Sequence, residues 1–263
     1  MVSINKNLLI LIIVLSNICR LSAQDPIQNT DNFVQDSLTR NDNHHNSKLN
    51  YRHWIPPTLF IGFGIAGLES DALQKLNIST RAEIKEHQPR HISLDNYTQY
   101  APAAIVYGLN VAGIKGTHNL RERTIIYATS QLISAAFVMP LKHIVKEERP
   151  NGANNLSFPS GHTATAFSSA QFMFREYKDS NFWLSISGYP FAIFTGAYRT
   201  INDKHWLGDV VAGAGIGILS TELAYRLYPG INRLLSGKEK NTKTMLIPYY
   251  QNKNFGIGLV QRF

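Results

Sequence analysis

Cysteine is all but missing. Cys19 is the single one in 263 residues, so no disulfide can form within the chain. Acidic side chains are scarce as well, with 18 Asp and Glu against 26 Lys and Arg, a net charge of +8. The acids form no cluster around the histidines, so nothing reads as a metal cage. Mean hydropathy is only −0.16, which excludes a chain made mainly of lipid-facing helices. No internal repeat is present, and no basic face is interleaved with aromatics, so nucleic acid is not an expected partner. The positive balance suits anionic lipid headgroups or phosphorylated substrates instead.

Three spaced polar clusters stand between Lys142 and Asp209. The first is Lys142, six residues, then Arg149-Pro150; the second is Pro159-Ser160-Gly161-His162; the third is Arg199, five residues, His205, three residues, Asp209. Lys142, Arg149 and Arg199 supply three cations, two of them guanidinium forks that match phosphate oxygens. Ser160 stands at a helix N-cap position, so the N–H groups of Gly161 and His162 open a helix whose positive end suits an anion. Gly161 lets backbone approach an oxyanion closely. Three cations would repel a divalent ion, and the pattern describes a pocket for a tetrahedral oxyanion without a metal or other cofactor.

Two histidines complete the set. His205 and Asp209, four apart, share one helical face. A carboxylate on one ring nitrogen fixes the tautomer and leaves the other nitrogen as a nucleophile. His162 is then free to act as general acid toward a leaving alkoxide. Singly these residues have ordinary explanations: a solvated loop for Lys142 and Arg149, a helix cap for Ser160, a packed histidine beside Trp206. Their occurrence together and in order carries the functional reading.

At these residues the chain resembles the type 2 phosphatidic acid phosphatase family, which shares its pocket with bacterial class A acid phosphatases and vanadium haloperoxidases. The pattern K-x6-RP, PSGH, SR-x5-H-x3-D is matched everywhere except at Tyr198, where the family usually has Ser. The resemblance spans roughly residues 100–228. It implies that His205 attacks phosphorus, Asp209 supports it, His162 protonates the leaving group, and Lys142, Arg149, Ser160, Gly161 and Arg199 hold the phosphate.

Residues 1–23 read as a secretory signal, with Lys6, an apolar run from Leu8 to Leu15 and a cleavage site at Leu21-Ser22-Ala23. An uncleaved anchor is the alternative, because Arg20 is unusual in that position; a lipoprotein reading of Cys19 fits less well. Cleavage removes two basic residues and leaves a charge of +6. Residues 24–52 form a polar linker in which His44 and His45 carry no site. An amphipathic helix is expected over Asp71–Glu86 and a loop over Gln88–Asn96. Core helices are expected over Trp54–Gly67, Gln99–Ile114, Arg123–Val145, Gly161–Tyr177, Asn181–Tyr198 and Leu207–Tyr228, with a stop at Pro229-Gly230. Residues 231–263 hold a basic linker and a hairpin from the runs Met245–Tyr250 and Phe255–Phe263. The best candidates to span a bilayer, which takes about 20 apolar residues, are Arg123–Val145 and Asn181–Tyr198.

The expected architecture is therefore an all-α, six-helix domain over residues 53–230, with its motif core at 142–209, followed by a short C-terminal β-hairpin. The expected function is a metal-independent phosphatase of envelope lipids (phosphatidate, polyprenyl diphosphate or lipid A type), exported to the periplasm or envelope and associated with an anionic membrane surface. Phe158, Phe167, Trp183 and Trp206 are candidates to accept acyl chains. Alternatives are a soluble periplasmic acid phosphatase of broad specificity, a haloperoxidase, and a non-catalytic phospholipid-binding envelope protein.

Overall fold

The computed structural model describes residues 54–87, 89–236, 244–251 and 254–261. The expected leader, the polar linker to residue 52, part of the basic linker (237–243), the connector residues 252–253 and Phe263 lie outside the described residues. Nine helices are present among those described: α1 (Ile55–Glu69), α2 (Asp71–His87), α3 (Asp95–Thr98), α4 (Ala101–Val111), α5 (Leu120–Val145), α6 (Gly161–Tyr177), α7 (Phe182–Ile186), α8 (Tyr189–Ile201) and α9 (Leu207–Leu235). Two strands follow, β1 (Thr244–Gln251) and β2 (Asn254–Gln261), paired antiparallel with Met245 opposite Val260 and Tyr250 opposite Phe255.

Local chemistry explains most boundaries. Pro stands in the first turn of α1 and α4, where its missing N–H costs no helical bond. A capping box starts α5: Asn119 Oδ1 accepts from the Glu122 N–H, and Glu122 accepts from the Asn119 N–H. Lys146 ends α5 in the left-handed conformation at φ 54°. Three expectations need correcting. The loop expected to run to Asn96 already turns into α3 at Asp95. The helix expected over Asn181–Tyr198 is two helices, because Pro190 has no N–H to continue the ladder from the first and stands instead in the first turn of the second. The stop expected at Pro229-Gly230 does not occur. There the helix runs on to Leu235, and Arg121 Nη1 bonds Asn232 Oδ1 at 2.8 Å, tying the extension to α5.

Helix α9 is the centre of the packing, touching α6, α1 and α5. Small residues let it approach its neighbours. A Cβ on Gly213 would lie 2.5 Å from Ser160 O, and one on Gly217 would lie 2.2 Å from Ala164 O and 2.8 Å from Ser168 N. Both obstacles on Gly217 are backbone and cannot rotate aside. Gly217→Ala is therefore expected to cost about 1–3 kcal/mol, read as a lowered thermal midpoint. Hydroxyls pair across the same seam, Ser168 bonding Thr221 at 2.9 Å and Ser130 at 3.1 Å.

Lys142 bonds Ser157 O just ahead of α6, the Ser160 N–H bonds Asp209 O and the His205 N–H bonds Arg199 O, so Lys142, Gly161, Arg199 and Leu207 share one end of the bundle. The opposite end is closed by a buried charged network. Glu176 accepts from His118 Nδ1 at 2.8 Å, from the His118 N–H at 3.1 Å and from Tyr225 OH at 2.7 Å. The fully buried Arg123 reaches Glu176 at 3.7 Å and donates through Nε to His118 O at 3.1 Å. Elsewhere large apolar residues face outward, among them Leu59 (65% exposed), Val111 (88%), Leu132 (71%) and Ile193 (60%). Among the described residues, α5 and α9 are long and apolar enough to cross a membrane, α5 mostly exposed along its length and α9 mostly buried. The expected second span over Asn181–Tyr198 fails because the break at Gly188 leaves helices of 5 and 13 residues.

Candidate active site

Lys142, Ser160, Gly161, His162, Arg199 and Asp209 sit at helix ends, and Arg149 and His205 stand in the loops that join them. Lys142, in the last turn of α5, donates through Nζ to Leu156 O at 2.7 Å and Ser157 O at 3.1 Å. Those bonds hold the loop between α5 and α6 against the bundle. Arg149 stands in that loop, in a turn closed by its N–H to Asn154 O at 3.0 Å. Ser160 caps α6: its Oγ accepts from the Thr163 N–H at 3.4 Å, and Gly161 and His162 open the helix.

The N-termini of α6 and α9 meet here. The Ser160 N–H donates to Asp209 O at 3.1 Å, and Ser157 Oγ donates to Asp209 Oδ2 at 2.5 Å. Asp209, in the first turn of α9, also accepts from the Trp206 N–H at 2.9 Å, half of a capping box. Two positive helix ends and three cations thus converge on one small region.

His205 is only 2% exposed, and its Nδ1 lies 3.5 Å from Asp209 Oδ2. That is longer than a closed hydrogen bond, as unliganded catalytic pairs often are. Burial, with Lys142 and Arg199 adding to it, pulls the ring down to about 4 although Asp209 opposes the shift. His162 is also held down to about 4, by burial first and then by Arg199, Arg149 and Lys142 against the pull of Asp95. Both rings are neutral at neutral pH.

Arg199, in the last turn of α8, donates through Nη1 to Asp95 Oδ2 at 2.8 Å, a buried ion pair. The Nε atoms of Arg199 and Arg149 are buried and have no acceptor among the described residues. They are donors of the kind a phosphate oxygen satisfies. Tyr198, at the position that departs from the family pattern, stacks on Phe194 with centroids 4.4 Å apart.

Four neighbours of the site were not readable in the motif. Asp95 partners Arg199, and Asn96 Oδ1 meets His162 Nε2 at 3.0 Å. Ser157 holds Asp209. Glu147, inside the six-residue spacer, is buried beside Asp209; burial and that neighbouring carboxylate push it well up, so it holds a proton at neutral pH. Only Ser157 carried any signal, standing three residues ahead of a helix cap. Of the four aromatics expected to accept acyl chains, Trp206 stands at the site, its Nε1 donating to Glu148 O at 2.9 Å. Phe158 is buried, Phe167 packs on Tyr189, and Trp183, 77% exposed, lies on α7. Helix α6 carries the chain about 25 Å from the site before α7 begins.

A neutral imidazole beside a carboxylate, set among cations and helix N-termini, can attack a bound tetrahedral oxyanion, and a second imidazole that takes a proton beside that anion can pass it to a leaving group. Residues 123–233 match the PAP2 superfamily. Over 165 residues, 60% of its length, the chain is 33% identical to a lipid A 1-phosphatase of Porphyromonas gingivalis, and it spans 37% of that relative. Two crystal structures are similar at a TM-score of 0.45. They are Aquifex aeolicus LpxE (21% identity, 57% of this chain and 95% of that one) and a transmembrane PAP2-type phosphatidylglycerolphosphate phosphatase of Bacillus subtilis (18%, 70% and 98%).

Proposed function

Because residues 123–233 of this chain belong to the PAP2 superfamily, we propose that it is a phosphatase of envelope lipids, working through a phosphohistidine on His205. The observation that carries the reading is the convergence of Lys142, Arg149, Arg199 and the N-termini of α6 and α9 around His205 and His162. In the first step Nε2 of His205 attacks phosphorus and the bond to the lipid oxygen breaks. His162, neutral in the free site, takes a proton as the anionic phosphate enters among the cations and gives it to that oxygen, and Asp209 stabilises the imidazolium character gained by His205. Water then attacks the phosphohistidine, His162 takes its proton, and phosphate leaves with His205 restored. The three cations and the Gly161 and His162 N–H groups stabilise charge on the equatorial oxygens, so no metal is needed for that task.

The named activity of the Porphyromonas relative makes a lipid A type phosphate the first substrate to try, with phosphatidate and polyprenyl diphosphate beside it. The outward apolar surface of α5 suits a membrane setting for the bundle. The test is phosphate release by purified protein on that lipid panel and on p-nitrophenyl phosphate, without added metal. Release chiefly from lipids supports the proposal. Release chiefly from the soluble ester replaces it with a broad-specificity acid phosphatase, and no release from folded protein leaves a lipid-binding protein.

A second expectation concerns protonation. Histidine pKa values depressed by burial and cations mean that His162 and His205 gain their protons only as pH falls toward 4. In an NMR titration of the free protein, two of the nine histidine rings should titrate near pH 4. Ordinary midpoints near 6.5 for every ring would contradict the neutral pair.

A further inference from the structure

Helix α2 buries a single side chain, and it is polar: Asn77. Its Oδ1 accepts from the Gly208 N–H at 3.1 Å, a donor in the first turn of α9 that has no partner within its own helix. One turn further along α2, Arg81 grips Asp203 through Nε at 2.9 Å and Nη2 at 3.4 Å, with Lys85 on the same carboxylate at 3.4 Å. The guanidinium of Arg81 also lies over the Trp206 ring, 5.6 Å from its centroid. From the segment ahead of α3, Ile92 O accepts from Asn202 Nδ2 at 2.9 Å and His91 Nδ1 meets Asn202 Oδ1 at 3.2 Å.

These contacts fall at 202, 203, 206 and 208, on both sides of His205, and leave its ring untouched. The loop's own backbone bonds run back to α8, with the Lys204 and His205 N–H groups on Arg199 O at 3.0 and 3.2 Å, and Trp206 Nε1 donates to Glu148 O at 2.9 Å; the side chains of α2 and residues 91–92 hold its remaining face. Asp203 holds a left-handed backbone at φ 55°, a conformation that persists when surrounding contacts over-determine it. The His205–Asp209 pair stands open at 3.5 Å. Every gripping residue precedes the segment that matches the family, residues 123–233. We propose that α2 and residues 91–92 form a clamp that fixes the position of His205, with Asn77 and Arg81 as positioning residues. The proposal rests on His205 being the nucleophile.

The test uses the full chain with Arg81→Met, Asn77→Ala and Asp203→Asn; asparagine tolerates the left-handed backbone, so the last change removes the charge and one acceptor without straining the chain. A nucleophile displaced by a fraction of an ångström should lower kcat roughly 10- to 100-fold while KM moves less than about threefold. Inhibition by vanadate, which mimics the transferring phosphoryl group and needs His205 in place, should weaken by the same factor, and inhibition by inorganic phosphate should hold. Adding Asp203→Asn to Arg81→Met should cost little more, since both act on one contact. Unchanged kcat, or vanadate and phosphate weakening together, overturns the clamp. Amide hydrogen exchange separates this from failure of the phosphohistidine reading. If His205→Ala keeps its turnover, that reading falls, yet Asp203→Asn should still speed exchange at 204–208 without speeding it in α5. Unchanged exchange there overturns the clamp whatever the activity.

Discussion

His205→Ala should lower phosphate release by about 10⁴-fold or more, because it removes the covalent route and not merely one contact. The ring is buried against Asp209 at the meeting point of two helix N-termini, and its replacement leaves Lys142, Arg149 and Arg199 where they stand. Substrate binding should therefore survive the loss of turnover, and inorganic phosphate should still protect the variant against thermal unfolding. His162→Ala should behave differently. Its loss should be severe with a lipid alkoxide leaving group and mild with p-nitrophenolate, which departs without a proton. Equal losses on both esters would remove His162 from the acid role. Retained turnover in His205→Ala would remove the phosphohistidine.

The second large effect lies at the other end of the bundle. Glu176→Gln keeps the shape of the side chain but leaves the fully buried Arg123 without its counter-charge. Breaking a buried pair by neutralising one partner costs about 3–5 kcal/mol. The expected result is a large drop in the thermal midpoint, with an unchanged KM in whatever protein remains folded. Combining the change with Arg123→Met should recover part of the loss, since no charge is then stranded. A midpoint unaltered by Glu176→Gln would mean that His118 and Tyr225, which bond the same carboxylate, dominate the network.

Much of this molecule was legible in its chain because most motif residues stand at helix ends, where local rules act. Ser160 caps α6 by the chemistry that makes Ser a capping residue anywhere, and Asp209 sits in the first turn of α9, where a carboxylate meets free N–H groups. Periodicity located α5, α6 and the start of α9 within a few residues. What escaped depends on distant partners. Nothing near Asp95 announces that its carboxylate lies against Arg199, and Asn77 looks like any polar residue of an exposed helix until Gly208 arrives beside it. The break at Gly188 and the passage through Pro229 failed for a related reason. A Cβ added at Gly188 would lie 3.0 Å from Pro102 and 3.2 Å from Met173, and Arg121 bonds Asn232, so distant partners bear on both places. The membrane-span expectation moved from Asn181–Tyr198 to α9 with that break, since only an unbroken helix has the length.

The ion pair between Arg199 and Asp95 joins residues 104 apart in sequence, Ser157 meets Asp209 across 52, and Asn77 meets Gly208 across 131. Closing loops of that size costs chain entropy before any contact repays it, which makes such pairings slow to form. The helices themselves need only local bonds and can precede them. In a refolding experiment, helical circular dichroism should therefore return first, and catalysis should return with the slowest phase. A chain still being assembled would then carry helices without hydrolytic power, and its enzymatic activity would report the completed tertiary structure.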